Sequence, residues 1–334
     1  MKKTNGRVIY FIIFIIIACL GISRTNAELE RLQHPTKNKD GSIDFLVVGD
    51  WGRKGAYNQS HVALQMGKIG ERKDISFIIS TGDNFYDNGL SSVDDPLFHE
   101  SFTKVFTANS LQKQWYNVLG NHDYRGDVEA QLNPTLTRID SRWLCKRSFI
   151  VNTGNADIIF VDTTPFINEY FVDPKGRKYD WRGVTPRENY TGKVLKELEI
   201  ALKSSEAKWK IVIAHHPIKS AGSHRDTQEL IDQLNPVLEA NDVDFYINGH
   251  DHCLQHISSK ESKIQYFTSG GGSKAWNGDM EKNKDGLEFY YDGQGFMAVK
   301  LAPNKAQIKF YDIFGKVLHK FNVSKQNSAM TCRK

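Results

Sequence analysis

Five apolar, β-branched runs are spaced along the chain: FLVV (45–48), ISFIIS (75–80), WYNVL (115–119), KIVIA (210–214) and VDFYIN (243–248). Runs of this kind between turn signals predict buried strands. Between them the apolar period lengthens. Val62, Met66 and Ile69 recur at helical spacing, as do Val194, Leu195, Leu198, Ala201 and Leu202, which have Lys and Glu on the opposite face. Leu230, Ile231 and Leu234 repeat the pattern, with Pro236 kinking or restarting the helix. Leu97–Phe106 predicts a short helix, and 128–145 is helical in part, interrupted by Pro134. SFIVN (148–152) and DIIFVDT (157–163) predict a strand pair; FMAVKLA, AQIKFYD and VLHKFNV (296–323) predict a closing antiparallel set. Alternating helices and strands predict an α/β fold, with two packed mixed β-sheets flanked by helices. The expected domain runs from 44 to 323, after an extended polar lead-in at 28–43 and before a C-terminal tail at 324–334.

The first 27 residues stand apart. Lys2, Lys3 and Arg7 precede an apolar run from Val8 to Leu20, and small or polar residues follow to Ala27. That order predicts a signal peptide cleaved after Ala27 rather than a span, which needs about 20 apolar residues. The expectation is a secreted or vacuolar protein, with no membrane segment in its mature form. The formal charge of +5 is concentrated there, because Lys2, Lys3, Arg7 and Arg24 meet no acid before residue 28. The nearly neutral remainder offers no electrostatic footprint for nucleic acid.

The chemistry lies in the clusters that close the five runs: GDWG (49–52), GDNFY (82–86), GNHD (120–123), VIAHH (212–216) and GHDH (249–252). They bring Asp50, Asp83, Tyr86, Asn121, His215, His250 and His252 to strand ends, where open α/β sheets place their sites. Carboxylate, phenolate, amide and imidazole form a mixed oxygen and nitrogen set that needs no thiolate. Two metals roughly 3.5–4 Å apart can hold the attacking and leaving oxygens of an in-line displacement. One carboxylate must then bridge them, and Asp83, in the middle of the set, is the expected bridge.

In this order the five motifs resemble those of the purple acid phosphatases within the calcineurin-like metallophosphoesterases, over about Phe45 to Phe321. The resemblance implies a four-layer sandwich and a secreted acid phosphatase that hydrolyses phosphate monoesters by attack of a metal-bound hydroxide. It further implies Fe(III) on Asp50, Asp83, Tyr86 and His252, and a divalent ion (Zn, Fe or Mn) on Asp83, Asn121, His215 and His250. Asn121, His122 and His224 match the family's substrate-binding positions, and His122 and His224 its catalytic pair, which bind phosphate and assist protonation. Two other functions stand against this one: a phosphodiesterase or nuclease of the same superfamily, against which Tyr86 argues, and a storage or binding glycoprotein with structural metals.

The remaining features are less specific. His216 reads equally as a rim contact or as packing. The stretch 165–191 has no regular pattern and many aromatic and basic residues; it reads first as an exposed loop and second as a rim that selects phosphate esters. The glycines at 270–272 lack the Lys-Ser or Lys-Thr of a P-loop and predict a tight turn beside the metals. Cys145, Cys253 and Cys332 are odd in number outside the signal segment; one disulfide is expected, Cys145 with Cys253 first. Sequons at Asn58, Asn189 and Asn322 are expected glycan sites.

Overall fold

The five runs form strands buried on both faces, which is why they read as continuous rather than alternating. The structure is a computed structural model that describes residues 28–278 and 280–326. The expected signal peptide (1–27) and Cys332 lie outside those residues. The described strands are β1 (Arg31–Gln33), β2 (Ile43–Val48), β3 (Phe77–Ser80), β4 (Gln114–Asn117), β5 (Trp143–Cys145), β6 (Phe149–Asn152), β7 (Ala156–Phe160) and β8 (Trp209–Ile213). They continue with β9 (Phe245–Asn248), β10 (Leu254–Ile257), β11 (Gln265–Ser269), β12 (Leu287–Tyr291), β13 (Gly295–Ala302), β14 (Lys305–Asp312) and β15 (Val317–Ser324).

They build two mixed sheets. An eight-stranded sheet runs β1-β6-β7-β8-β9-β11-β10-β12, and a seven-stranded sheet runs β15-β14-β13-β2-β3-β4-β5. β2, β3 and β4 are parallel to one another, as are β7, β8 and β9, so each trio delivers its following loops to one end. The three C-terminal runs form the expected antiparallel set beside β2. The polar lead-in is not merely extended, because Arg31–Gln33 pairs with β6 as an edge strand.

Side-chain alternation divides the interior into three layers. Phe45 and Val47 of β2, Phe77 and Ile79 of β3, and Ile211 and Ile213 of β8 meet between the sheets. Leu46 and Val48 face outward onto the helix Gln59–Lys73 and an aromatic cluster of Trp51, Phe85, Phe98, Phe102, Phe106, Trp115 and Trp143. Val212, Ala214 and Tyr246 face the opposite way, onto Val194, Leu198 and Leu202 of the helix Arg187–Ser204 and onto Leu230, Leu234 and Leu238. Pro236 restarts the chain there as a second short helix, Asn235–Ala240.

One expectation changes and another is refined. Cys145 and Cys253 are buried free thiols, so the expected disulfide is not formed. Cys145 ends β5 at the edge of one sheet, opposite Asn117, whereas Cys253 leads into β10 of the other. The stretch 165–191 is exposed over much of its length, as at Val172 and 175–178, but it is also packed. Phe171 stacks on Trp181 at 3.9 Å and Tyr179 on Trp181 at 5.4 Å, and Trp181 packs on Tyr124. Arg187 closes the stretch on itself by donating to the carbonyls of Pro165 and Phe166, while Asp180 ties it to the body as a wall by accepting from the Val128 backbone N–H and donating its own to the Tyr124 carbonyl.

Candidate metal centre

The loops after β2, β3 and β4 come from the seven-stranded sheet, and those after β8 and β9 from the other; they meet at one end of the seam. Motif aromatics anchor the first two. Trp51 and Phe85 are buried in the outer aromatic cluster, and Trp51 Nε1 donates to Ser80 Oγ at 2.9 Å. The chain between anchor and strand then turns sharply, with Asp50, Asp83 and His250 all in left-handed backbone at φ +61, +50 and +70°. Non-glycine residues held there cost roughly 1–3 kcal/mol each and cluster at functional sites. Gly120 has no alternative to its lack of side chain, because a Cβ would lie 2.2 Å from Asp83 Oδ1.

All seven expected ligands converge, and they do so as two sets. Tyr86 Oη lies 2.9 Å from Asp50 Oδ1, 2.9 Å from Asp83 Oδ2 and 3.0 Å from His252 Nε2. His215 Nε2 lies 3.2 Å from Asn121 Oδ1, 3.2 Å from His250 Nδ1 and 3.4 Å from Asp83 Oδ1. Metal–ligand bonds of about 2.0–2.2 Å put neighbouring donors of one shell roughly 3 Å apart, the spacing found around Tyr86 Oη and His215 Nε2, and the two sets adjoin, since Asp50, Asp83 and His215 also cluster. Asp83 gives one oxygen to each.

The electrostatics ask for cations. Burial raises Asp50 well above the usual carboxylate range. Burial also raises the Tyr86 phenol, and the two carboxylates add to it. Burial opposes charge on Asp83 too, but His215 and His122 hold it well below its ordinary value. Burial likewise opposes charge on His215, yet the Asp83 carboxylate lifts it to about 9. His252 is pushed down to about 3, chiefly by burial, and His250 well below its usual range by burial and neighbouring imidazoles. Metal ions in the two shells would displace the protons on Asp50 and Tyr86 and use the lone pairs of the neutral imidazoles.

Comparison with known proteins agrees with this geometry. Residues 43–254 match the calcineurin-like phosphoesterase family. Over 321 residues the chain is 59% identical to purple acid phosphatase 3 of Arabidopsis thaliana, covering 96% of this chain and 87% of that one. The chain belongs to the purple acid phosphatases. It is also 31% identical over 304 residues to the human tartrate-resistant acid phosphatase type 5, covering 84% of this chain and 90% of the relative. Among solved structures, GAP50 of Plasmodium shares the fold at a TM-score of 0.72 and 24% identity, over 86% of this chain and 90% of that one. As a member of this family the chain is an acid phosphatase, a phosphoester hydrolase with a dinuclear metal centre.

The purple acid phosphatase motifs carry a second layer here that the ligand positions alone do not reveal. His215 Nδ1 donates to the Thr81 carbonyl at 2.9 Å and His252 Nδ1 to the Lys274 carbonyl, which leaves each Nε2 free for a metal. Asp123, the last residue of GNHD, accepts from the backbone of Gly120, Asn84 and Phe85 and from Gln131 Nε2. It therefore ties the loop of Asn121 to that of Asp83. Asp251, between His250 and His252 in GHDH, accepts from Ser220 Oγ, Ser223 Oγ and the His224 backbone N–H. It fixes the loop that presents His224. Both Asp residues stood inside quoted motifs, and the signal that could have found them was their position between turn-forming residues.

The centre opens into a cleft of about 670 Å³, whose lining includes His122, His224, Arg125, Arg177, Lys274 and Trp276. Glu169, Tyr170 and Lys175 add the 165–191 wall, so the rim reading of that stretch describes where it sits. His224 is exposed and stacks on His250 at 3.9 Å. His122 Nδ1 donates to the Asp87 carbonyl, so Arg125 Nη1 donates to Nε2 at 3.0 Å. Burial and Arg125 lower this imidazole to about 4, against the pull of Asp83. His216 is buried, bonded through Nδ1 to Thr163 Oγ1 and through Nε2 to the Tyr170 hydroxyl, both at 3.0 Å. It lines the cleft beside His215 and His250 and steadies the wall through Tyr170. Trp276, stacked on His252 at 4.2 Å, had no sequence signal. The glycines at 270–272 do not form the expected tight turn: Gly270 N–H donates to the Cys253 carbonyl and Gly272 N–H to the Gly49 carbonyl, and a Cβ at Gly270 would lie 3.0 Å from Asp50 Oδ2.

Proposed function

We propose that the site hydrolyses phosphate monoesters, with Fe(III) held by Asp50, Asp83, Tyr86 and His252 and a zinc, iron or manganese dication held by Asp83, Asn121, His215 and His250. The observation that carries this is the pair of donor sets sharing Asp83 through separate oxygens, one rich in anionic oxygen and the other in imidazole. A hard trivalent ion prefers the first and a borderline divalent ion the second. When bound, the two ions supply Lewis acidity and lower the pKa of water so that a nucleophile is available in acid.

The chain's own residues do the rest. Asn121, His122 and His224 bind the ester at the cleft floor, with Arg125 beside His122. His224 protonates the departing oxygen, because its ring nitrogens carry no hydrogen bond among the described residues while both nitrogens of His122 are engaged. Such a donor contributes on the order of 10²–10⁴-fold. The 165–191 wall contributes Lys175 and Arg177 to the ester's approach. Secretion follows from residues 1–27, and Asn189 and Asn322 are exposed sequons available for glycans, with Asn58 half-buried beside Gln294.

The deciding experiment is metal analysis of the purified protein together with its visible spectrum and an assay of matched monoester and diester substrates. One iron and one further metal per chain, a phenolate-to-iron band and monoester preference are expected. Preference for the diester, or a colourless iron-loaded protein, overturns the reading. N-terminal sequencing and glycosidase treatment of the secreted protein test the rest.

A further inference from the structure

We propose that Arg53 is a positioning residue for Tyr86 that tunes its phenolate: stacked on the ring, the guanidinium withdraws electron density and so sets the colour and the reduction potential of the iron. This rests on the reading of Tyr86 as a ligand of Fe(III). The Arg53 guanidinium carbon lies 3.7 Å from the centroid of the Tyr86 ring, well inside the ~6 Å range of a cation–π contact. The side chain is nearly enclosed, at 12% exposure, so water screens the contact little. Its Nη1 donates to Asp87 Oδ1 at 2.8 Å. Its Nε is buried without a hydrogen-bond partner among the described residues, as expected of a group facing a π-cloud rather than a polar atom.

The placement is held from both sides. The Arg53 backbone N–H donates to Gln59 Oε1 at 3.0 Å, and Gln59 Nε2 is itself bonded to the Ser101 carbonyl in the buried interior. Asp87 follows Tyr86 directly and accepts from His122 through its carbonyl. One guanidinium therefore joins the loop of Asp50 to the loop of Asp83 across the face of the ring between them. Among the described residues Arg53 is the cation stacked on Tyr86; the other cation–π contacts fall on other rings.

The physical consequence has a definite sign. A cation over the ring stabilises the phenolate and lowers its donor orbital, so less charge passes to the ion. The charge-transfer band then lies at higher energy than it would without the cation. Ferric iron, which gains more than ferrous iron from a donating phenolate, is favoured less, so the potential is higher. Asp50 and Asp83 act oppositely, which makes Arg53 the counterweight in the set.

The test compares the purified metal-loaded wild-type enzyme with Arg53→Met, Arg53→Lys and Asp87→Asn, by visible spectrum and spectroelectrochemical titration. Arg53→Met should move the band to longer wavelength and shift the ferric-over-ferrous preference about tenfold, about 59 mV lower for a one-electron couple. Arg53→Lys keeps the charge but loses the planar stack, so it should move both in the same direction by less; it also serves if the Met variant does not fold. Asp87→Asn breaks the ion pair and keeps the cation, so its band should stay near the wild-type position. A folded, coloured Arg53 variant with wild-type band and potential overturns the inference while leaving the ligand assignment intact. An Asp87→Asn shift equal to that of Arg53→Met also overturns it, because the effect would then run through the loop tether. A colourless iron-loaded wild type overturns the ligand assignment and the inference together.

Discussion

The two sheets contribute to the centre in different currencies of chemistry. The seven-stranded sheet delivers Asp50, Asp83, Tyr86 and Asn121, all oxygen donors, whereas the eight-stranded sheet delivers His215, His250 and His252, all imidazoles. On the proposed assignment the oxygen half would set charge and so select the harder ion, and the nitrogen half would complete both shells without adding charge. Each half also supplies one outer histidine, His122 from the loop after β4 and His224 from the loop after β8. On the proposed assignment the asymmetry lies in the first set, which takes three of its four donors from the seven-stranded sheet, whereas the second takes two from each.

The sharpest way to break this comparison is at the shared carboxylate. Asp83→Asn should lower occupancy of both ions and cut activity by at least the order of 10²–10³-fold seen when one electrostatic stabiliser is lost. Asn121→Ala should chiefly empty the imidazole-rich shell. Metal-to-protein ratios check it, and equal loss of both ions in Asn121→Ala would sink the division into two sets.

The outer histidines come next. His224→Ala should lower kcat on the order of 10²–10⁴-fold for esters with poor leaving groups, and much less for activated aryl esters that need no proton. His122→Ala should act mainly on KM, since its ring is already engaged by Asp87 and Arg125. If both variants lose one common factor on every ester, neither is the proton donor.

Smaller effects are expected one layer back. Asp123→Asn and Asp251→Asn should each cost about 10–100-fold, the range for residues that orient ligands. They should differ in kind. Asp123→Asn should loosen metal binding in the oxygen half, whereas Asp251→Asn should leave the metals in place and reproduce part of the leaving-group dependence of His224→Ala. Identical metal loss in the two would contradict the separate duties given to them.

The smallest expected effect lies at the seam away from the metals. His256 donates through Nε2 to Gln265 Oε1 at 2.9 Å and accepts at Nδ1 from His319 Nε2 at 3.1 Å, linking β10 to β15. Burial lowers its pKa to about 4 from 6.5. The unfolded chain therefore binds the proton first as pH falls. The His256 contribution is fully present above pH 6.5 and is lost as pH drops towards 4, by about 3 kcal/mol. Denaturant titrations should show this slope flattened in His256→Gln. An unchanged slope would place the acid sensitivity elsewhere.

The convergence of the seven expected ligands was legible because each follows an apolar run, and strand ends are where such a sheet puts its site. The helices were legible from their period, including the restart at Pro236. What was not legible depends on distance between remote loops. Arg53 over Tyr86 and Trp276 on His252 are contacts between segments whose separation no periodicity encodes. The 165–191 wall has no period of its own and is held by stacked aromatics. The disulfide expectation failed because a count of cysteines says nothing about which sheet each one occupies. Arg31–Gln33 was missed as a strand because a polar three-residue edge carries too little pattern.

The position of the site at the seam also makes metal capture a checkpoint on the chain's own maturation. Neither sheet alone holds a complete shell: the first set needs His252 from the eight-stranded sheet, and the second needs Asp83 and Asn121 from the other. Since a one-residue slip in a strand turns its side chains to the opposite face, only chains whose sheets have docked in register can take up both ions. Bound at a thousandfold excess over Kd, an ion adds about 4 kcal/mol to the folded state, so uptake rewards correct docking after the fact. In refolding experiments the backbone signal should therefore return with or without chelator, and metal content should rise only once the sheets are joined. Tight capture of both ions by a chain whose sheets are still apart would show that the checkpoint does not exist.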